Sequence, residues 1–262
     1  MRYAKKSLGQ NYLTDLNIIK KIVNLTKIYN KNILEIGPGK GALTGEILKY
    51  KPKSLILIEK DDNLSKELRS KYANNKKIII YNKDILKFDF EEKLKENSII
   101  FGNLPYNISS QILVKIIKFK KWPPKYSDII FMFQKELAER IVGKLHTSKY
   151  GRLSILTNYR LRTLGKFNVS PNCFFPKPKV DSTVIYFKPN KKVLRRIKNI
   201  ENLEKITHVL FSNKRKMINK AISKLFKNPK ILSQKLNIDL SLRPDALSEK
   251  DFYRIVEFYE KI

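Results

Sequence analysis

Strand-like runs alternating with helical ones through residues 1–189, then a purely helical pattern through residues 190–262, predict an α/β fold. Its main part is a mostly parallel, doubly wound sheet, and a small C-terminal helical domain follows it. Three observations carry this reading: short apolar runs each precede an amphipathic one, a glycine-rich turn joins a strand to its helix, and composition breaks at Pro189-Asn190-Lys191-Lys192.

The elements follow in order. Ile18, Ile19, Ile22, Val23 and Leu25 share a helical face. Residues 32–36 read as a strand closed by Gly37-Pro38-Gly39-Lys40-Gly41, and 42–50 as its helix. Residues 54–58 form a second strand ending at Glu59, and Leu64, Leu68 and Tyr72 recur along a helix. Strands at 77–81 (ending near Asp84), 98–102 and 129–133 come next. An amphipathic run over 108–117 and a helix through Leu137, Ala138 and Ile141 accompany the last two. A helix from Arg152 to Tyr159 precedes two further strands, 164–169 and 182–187, joined by a proline-stiffened excursion and suited to a hairpin-like pair. Beyond the break, Leu203, Ile206 and Leu210 share one face, as do Met217, Ala221 and Leu225. Ser248 and Asp251 form a capping-box variant ahead of Phe252, Ile255, Val256 and Tyr259.

With 262 residues and 42% hydrophobic content, the chain can bury a substantial core. It holds no uncharged apolar run of membrane-spanning length, so no membrane association is expected. The basic start, residues 1–15, is too short and too soon followed by patterned sequence to read as a targeting peptide. The single Cys173 excludes an internal disulfide and fits a reducing, cytoplasmic setting. His146 and His208, far apart and without cysteine partners, make a metal site unexpected.

The formal net charge is +31, from 55 Lys+Arg against 24 Asp+Glu. Residues 191–235 carry 14 basic and 2 acidic side chains, whereas 236–262 carry 4 and 6. A uniform lysine bias does not produce that contrast, so a polyanionic partner is indicated. Lys214, Arg215, Lys216 and Lys220 recur along an expected helix and are the candidate RNA-binding residues. Lys118, Lys120, Lys121, Trp122 and Lys125 combine charge with an aromatic ring.

The Gly-x-Gly-x-Gly turn offers helix N-terminal N–H groups and close backbone approach. Its third glycine comes one residue earlier than in the dinucleotide fingerprint, which argues against an NAD oxidoreductase. Glu59, at a strand end 22 residues after Gly37, suits the two hydroxyls of a ribose, and Asp84 suits an adenine amino group. Taken singly, each could be a plain turn or a solvated loop acid. The fourth strand end carries Asn103-Leu104-Pro105-Tyr106, which places an amide, a proline-restricted carbonyl and an aromatic ring within four residues.

Residues 35–44 (Glu-Ile-Gly-Pro-Gly-Lys-Gly-Ala-Leu-Thr), Glu59, Asp84 and Asn103-Leu104-Pro105-Tyr106 together resemble the S-adenosylmethionine-dependent rRNA adenine N6-dimethyltransferases, most closely those acting on small-subunit rRNA. The resemblance extends to residues 8–13, 134–136, 150–154 and 174–182. It implies a Rossmann-like class I methyltransferase domain (1–189), a small helical rRNA-binding domain (190–262) and S-adenosyl-L-methionine as cofactor. It further implies a monomer that dimethylates two adjacent adenines in the 3′-terminal hairpin of 16S rRNA in the 30S particle, with a part in subunit biogenesis. By resemblance Asn11 and Leu13 close over the cofactor, Gly37 lies beneath its methionine part, Glu59 holds the ribose, Asp84 the adenine, and Asn103 borders the sulfonium. Leu8 and Tyr12 depart from the aromatic residue and Phe of many relatives.

Asn103 Oδ1 and the Leu104 carbonyl can accept the two N–H groups of an adenine amine and turn its lone pair outward. Pro105 restricts the residue before it. Tyr106 can stack on an extruded base, and by resemblance Phe174 lies on its other face. Cytosine C5 chemistry needs a cysteine that this loop lacks, and Cys173 reads as small filler. Two rivals remain at the level of sequence: a 23S rRNA adenine methyltransferase of the macrolide-resistance type, and a non-catalytic assembly or transcription factor.

Overall fold

In the computed structural model, which describes residues 10–191 and 197–262, four strands are buried almost throughout: β2 (Asn32–Ile36), β3 (Ser54–Glu59), β5 (Ser98–Asn103) and β6 (Tyr126–Gln134). Unbroken apolar runs such as Leu-Ile-Leu-Ile in β3 suit the interior of a parallel sheet covered on both faces. With β4 (Ile78–Asn82) they form a parallel array in the order β4-β3-β2-β5-β6. Strand β9 (Ser182–Pro189) pairs antiparallel to β6, and β7 (Leu161–Val169) lies beside β9 at the edge, as the hairpin-like expectation required. The order reverses between β3-β2 and β5-β6, and open α/β sheets bind ligands at such a reversal. Helices α1 (Leu16–Val23), α2 (Ala42–Lys49), α3 (Asp62–Lys71), α4 (Ser109–Ile117) and α5 (Lys135–Ile141) connect the strands.

The sequence gives no sign of one small sheet. Strand β1 (Tyr12–Leu13) pairs antiparallel with β8 (Phe174–Phe175), in the register Tyr12 to Phe175 and Leu13 to Phe174. Two residues are too few for a periodic signal. The segment is also held by Thr14, whose N–H donates to the Cys173 carbonyl at 2.8 Å.

The chain divides into two compact units, residues 1–138 with 162–189, and 139–161 with 190–262. Residues 139–161, expected in the first domain (1–189), belong to the second unit. Helix α6 (Arg152–Arg160) explains the difference, because it packs on α7 (Ile200–Phe211) rather than joining the sheet. Within this unit Tyr150 Oη donates to the Leu247 carbonyl at 3.0 Å, and the Phe211 and Phe252 rings stack at 5.6 Å. Helix α10 (Glu249–Tyr259) opens on the expected capping box: Ser248 Oγ accepts from the Asp251 N–H, and Asp251 accepts from the Ser248 N–H.

The helix expected through residues 214–220 is not formed. Lys214, Arg215 and Lys216 lie in a turn after α7, and Lys220 sits on the four-residue α8 (Asn219–Ile222). The N–H groups of Ile218 and Asn219 donate to the Leu242 and Leu240 carbonyls, so they are not available to a continuous helix. Met217 is 59% exposed, whereas Ile218 and Ile222 are fully buried, so the spacing 217, 221, 225 does not mark the buried face. Helix α9 (Pro229–Leu236) was not expected from the sequence.

Candidate active site

A cavity of about 440 Å3 opens at the carboxyl ends of β2, β3, β4 and β5. Asn11, Leu13, Gly37, Glu59, Asp84, Asn103, Leu104, Pro105 and Tyr106 all line it. Residues up to 95 positions apart, Asn11 and Tyr106, therefore converge as the alternating pattern required. Phe174 is not among the lining residues. It is 4% exposed and packs in the core with its cross-strand partner Leu13. The structure thus does not present Phe174 as an open wall opposite Tyr106.

The glycine turn explains itself locally. Gly37, Gly39 and Gly41 have φ of +66°, +57° and +76°, which side chains disfavour. A Cβ on Gly39 would lie 3.0 Å from the Tyr12 ring, which covers the turn. Glu59 braces the same turn: its Oε2 accepts from the Gly39 N–H at 3.1 Å, and its Oε1 from the Asp61 N–H at 2.9 Å. Burial raises the Glu59 pKa, while these two N–H groups oppose the rise. Asp84 sits differently. Lys60 Nζ lies 2.9 Å from its Oδ2 and holds its pKa below the usual range, and the Leu86 N–H donates to Oδ1 at 2.9 Å. Asp84 keeps acceptor capacity for a ligand, and Glu59, which the Lys60 N–H also approaches, keeps at least one lone pair.

At Gly102, near the end of β5, a Cβ would lie 2.5 Å from Leu104 Cδ2 and 3.2 Å from the Phe131 ring, so a larger residue would displace those side chains. Asn103 Nδ2 donates to the Asn11 carbonyl at 3.0 Å. A carbonyl can only accept, so this contact fixes which end of the Asn103 amide faces it. Among the described residues, neither Asn103 Oδ1 nor the Leu104 carbonyl accepts a hydrogen bond. The Ile108 N–H donates to the Pro105 carbonyl and closes the turn. Tyr106 and Ser182 share a 2.6 Å hydrogen bond between hydroxyls, which anchors the ring's far end, and burial raises the phenol pKa.

Four groups were not assigned from sequence. Glu35, 1% exposed in the middle of β2, accepts from Thr44 Oγ1 at 2.6 Å, and burial pushes its pKa up to about 7. An acid inside the apolar run 32–36 was the available signal. Tyr12 Oη donates to Gln10 Oε1 at 2.7 Å, and Gln10 Nε2 donates to Asp61 Oδ2 at 3.3 Å, which links β1 to the start of α3. Lys115 Nζ donates to the Leu86 and Phe88 carbonyls at 2.8 and 2.9 Å and fixes the segment that follows Asp84. Ser182 belongs to the 174–182 stretch of the resemblance, and its partnership with Tyr106 has no local signal. Residues 1–9, including Leu8 and Gly9 of the opening motif, lie outside the described residues.

In the second unit, Lys214 is engaged internally. Its Nζ donates to the Ser148 and Tyr150 carbonyls at 3.3 Å each and lies 3.8 Å from Asp245 Oδ2. Arg215, Lys216 and Lys220 are exposed. No helix among the described residues is long and apolar enough to cross a membrane.

The family model described as ribosomal RNA adenine dimethylase matches residues 1–261. A Pelagibacter ubique protein named ribosomal RNA small subunit methyltransferase A is 44% identical over 259 residues, spanning 99% of this chain and 98% of its own. A protein of the same name from Francisella tularensis subsp. novicida is 40% identical, spanning 97% of each chain. Among solved structures, a dimethyladenosine transferase from Plasmodium falciparum superposes with a TM-score of 0.77 at 27% identity, over 95% of this chain and 97% of that one. The 23S rRNA methyltransferase ErmE superposes at 0.66 with 22% identity, over 95% and 99%, which shows the shared fold. The chain belongs to the ribosomal RNA adenine dimethylase family.

Proposed function

We propose that the protein dimethylates N6 of two adjacent adenines in the 3′-terminal hairpin of 16S rRNA within the 30S particle, in the cytoplasm, with S-adenosyl-L-methionine as methyl donor. One observation carries the chemical part. Asn103 spends its amide N–H on the Asn11 carbonyl, so Oδ1 and the neighbouring Leu104 carbonyl remain as two acceptors on a cavity-lining loop. Two acceptors suit a primary amine, and they draw its nitrogen towards tetrahedral geometry with the lone pair directed away from the ring. The Tyr106 ring, held through Ser182, offers a stacking face worth about 1–3 kcal/mol per base. A base that reaches this loop must be unpaired or turned out of its helix.

The residues fit the cofactor. Glycines at positive φ allow close approach at Gly37, Glu59 retains at least one lone pair for the ribose hydroxyls, and Asp84 retains acceptor capacity for an adenine amino group. When bound, the cofactor supplies an electrophilic methyl group. The chain itself orients the amine through Asn103 and Leu104, and Asn11 and Leu13 cover the site. A positively charged product nitrogen is acidic enough to lose its proton without a strong base, and Asn103 is not one.

Small-subunit specificity is supported by the relatives' names across nearly their full length. The test is incubation with labelled S-adenosylmethionine and immature 30S, mature 30S or 50S particles, followed by mapping of the product. Label confined to the two 16S adenines is expected. Label in 23S rRNA, or none in any particle, would overturn the reading.

A further inference from the structure

Two adjacent phenylalanines have opposite fates. Phe174 is 4% exposed and Phe175 is 61% exposed. The period of two in β8 explains this: Phe174 faces the core with Leu13, and Phe175 is the partner of Tyr12 on the other face. Tyr12 lines the cavity, and cross-strand partners in such a pair lie about 4.5–5.5 Å apart. Phe175 does not itself line the cavity, but it stands one strand over from Tyr12, which does, with its ring open to solvent. Lys177 and Lys179 follow it, both exposed and neither paired with an acid among the described residues. Lys40, also exposed, lies 5.1 Å from the Tyr12 ring centre. An open aromatic ring and exposed lysines thus lie together next to Tyr12, whose other flank faces the carboxylates Glu59 and Asp61.

We propose that Phe175 is a stacking platform for the nucleotide next to the adenine held by Asn103, Leu104 and Tyr106, with Lys177 and Lys179 at that nucleotide's phosphates. The proposal rests on the adenine-methylating reading of the cavity and adds a second base site to it. Extruding one base costs both neighbours their stacking, a few kcal/mol. With two adjacent adenines as targets, the second lies one nucleotide from the first while the first is in the cavity. An aromatic face beside the cavity restores the stacking that this second base has lost, and it does so for any base. The adjoining lysines favour RNA over a protein surface as the occupant, since they complement a phosphate chain.

The test is a double-mutant cycle with Phe175→Ala and Phe175→Trp on 30S particles reconstituted with intact rRNA or with rRNA abasic next to the target adenine. Phe175 is exposed, so both variants should fold, and their affinity for S-adenosylhomocysteine should match that of the parent. Phe175→Ala is expected to lower kcat/KM on intact particles by about five- to a hundredfold, the stacking range. Phe175→Trp should retain activity. On abasic particles the loss from Phe175→Ala should shrink or vanish, because its partner base is missing. An equal loss on intact and abasic particles would mean that Phe175 meets something other than that base, and would overturn the proposal. So would no loss on either. Failure of the parent protein to methylate any 30S adenine would instead strike the reading of the cavity.

Discussion

The side-chain amide of Asn103 donates to the backbone carbonyl of Asn11 across 92 residues of sequence, at 3.0 Å. This bond joins the loop after β5 to the segment that leads into β1, and both line the cavity. It also sets the direction of Asn103 Oδ1. Asn103→Ala should therefore cut single-turnover methylation by about two orders of magnitude, as loss of an oriented electrostatic partner does. S-adenosylhomocysteine affinity by calorimetry should change far less. Equal losses in the two measurements would remove Asn103 from the catalytic role.

Tyr106 separates stacking from anchoring. Tyr106→Phe loses only the bond with Ser182, so stability should fall by about 0.5–1.5 kcal/mol in urea unfolding while most activity remains. Tyr106→Ala also removes the ring. It should lower turnover at least tenfold beyond the Phe variant, with the cofactor affinity again largely kept.

Glu35 makes a pH prediction with a definite sign. Burial pushes its folded pKa up to about 7 from the ordinary 4.5, so the folded state holds the proton more tightly than the unfolded chain. Stability from this group is therefore full below pH 4.5 and is lost as pH rises to about 7, then stays level. Glu59, raised by burial, acts in the same direction. Urea midpoints should fall between pH 5 and 8 in the parent, and Glu35→Gln should flatten that fall. An unchanged slope in the variant would dismiss Glu35 as its source.

Arg215 and Lys216 should behave differently from Lys214. Arg215→Glu with Lys216→Glu is expected to weaken rRNA binding and to flatten the log–log salt dependence by about one unit per lost phosphate contact. Lys214→Met should instead cost about 1–2 kcal/mol of stability, because it removes a charged donor from two carbonyls. A salt slope unaltered in the double variant would take the phosphate role from that turn.

Tyr12→Phe removes the hydroxyl that ties β1 through Gln10 to Asp61. The ring remains over Gly39, so the fold should persist. Dissociation of S-adenosylhomocysteine in stopped flow should quicken a few-fold, in keeping with about 1 kcal/mol for one hydrogen bond.

Much of the site was legible because each part of it ends a strand. Gly37, Glu59, Asp84 and Asn103 follow apolar runs, and parallel pairing brings successive strand ends to one edge of the sheet whatever their distance in sequence. The surroundings of Lys214 are illegible for the opposite reason. By spacing it is one of several basic residues on a helix, and nothing local reveals that two carbonyls of the 148–150 segment surround it. The placement of residues 139–161 was hidden in the same way, since apolar spacing shows that a helix buries a face but not which partner covers it.

The sequence by itself determined the alternating α/β order, the glycine turn and the amide-carbonyl-aromatic loop at Asn103-Leu104-Pro105-Tyr106. All of these are set by periodicity or backbone chemistry within a few residues. Only the tertiary structure decided which end of the Asn103 amide faces outward, and which of Phe174 and Phe175 reaches solvent. The reason is physical. A strand's period divides its residues between two faces, and only the neighbouring chain, here Asn11 to Leu13, settles which face is inside and which polar atom is already satisfied.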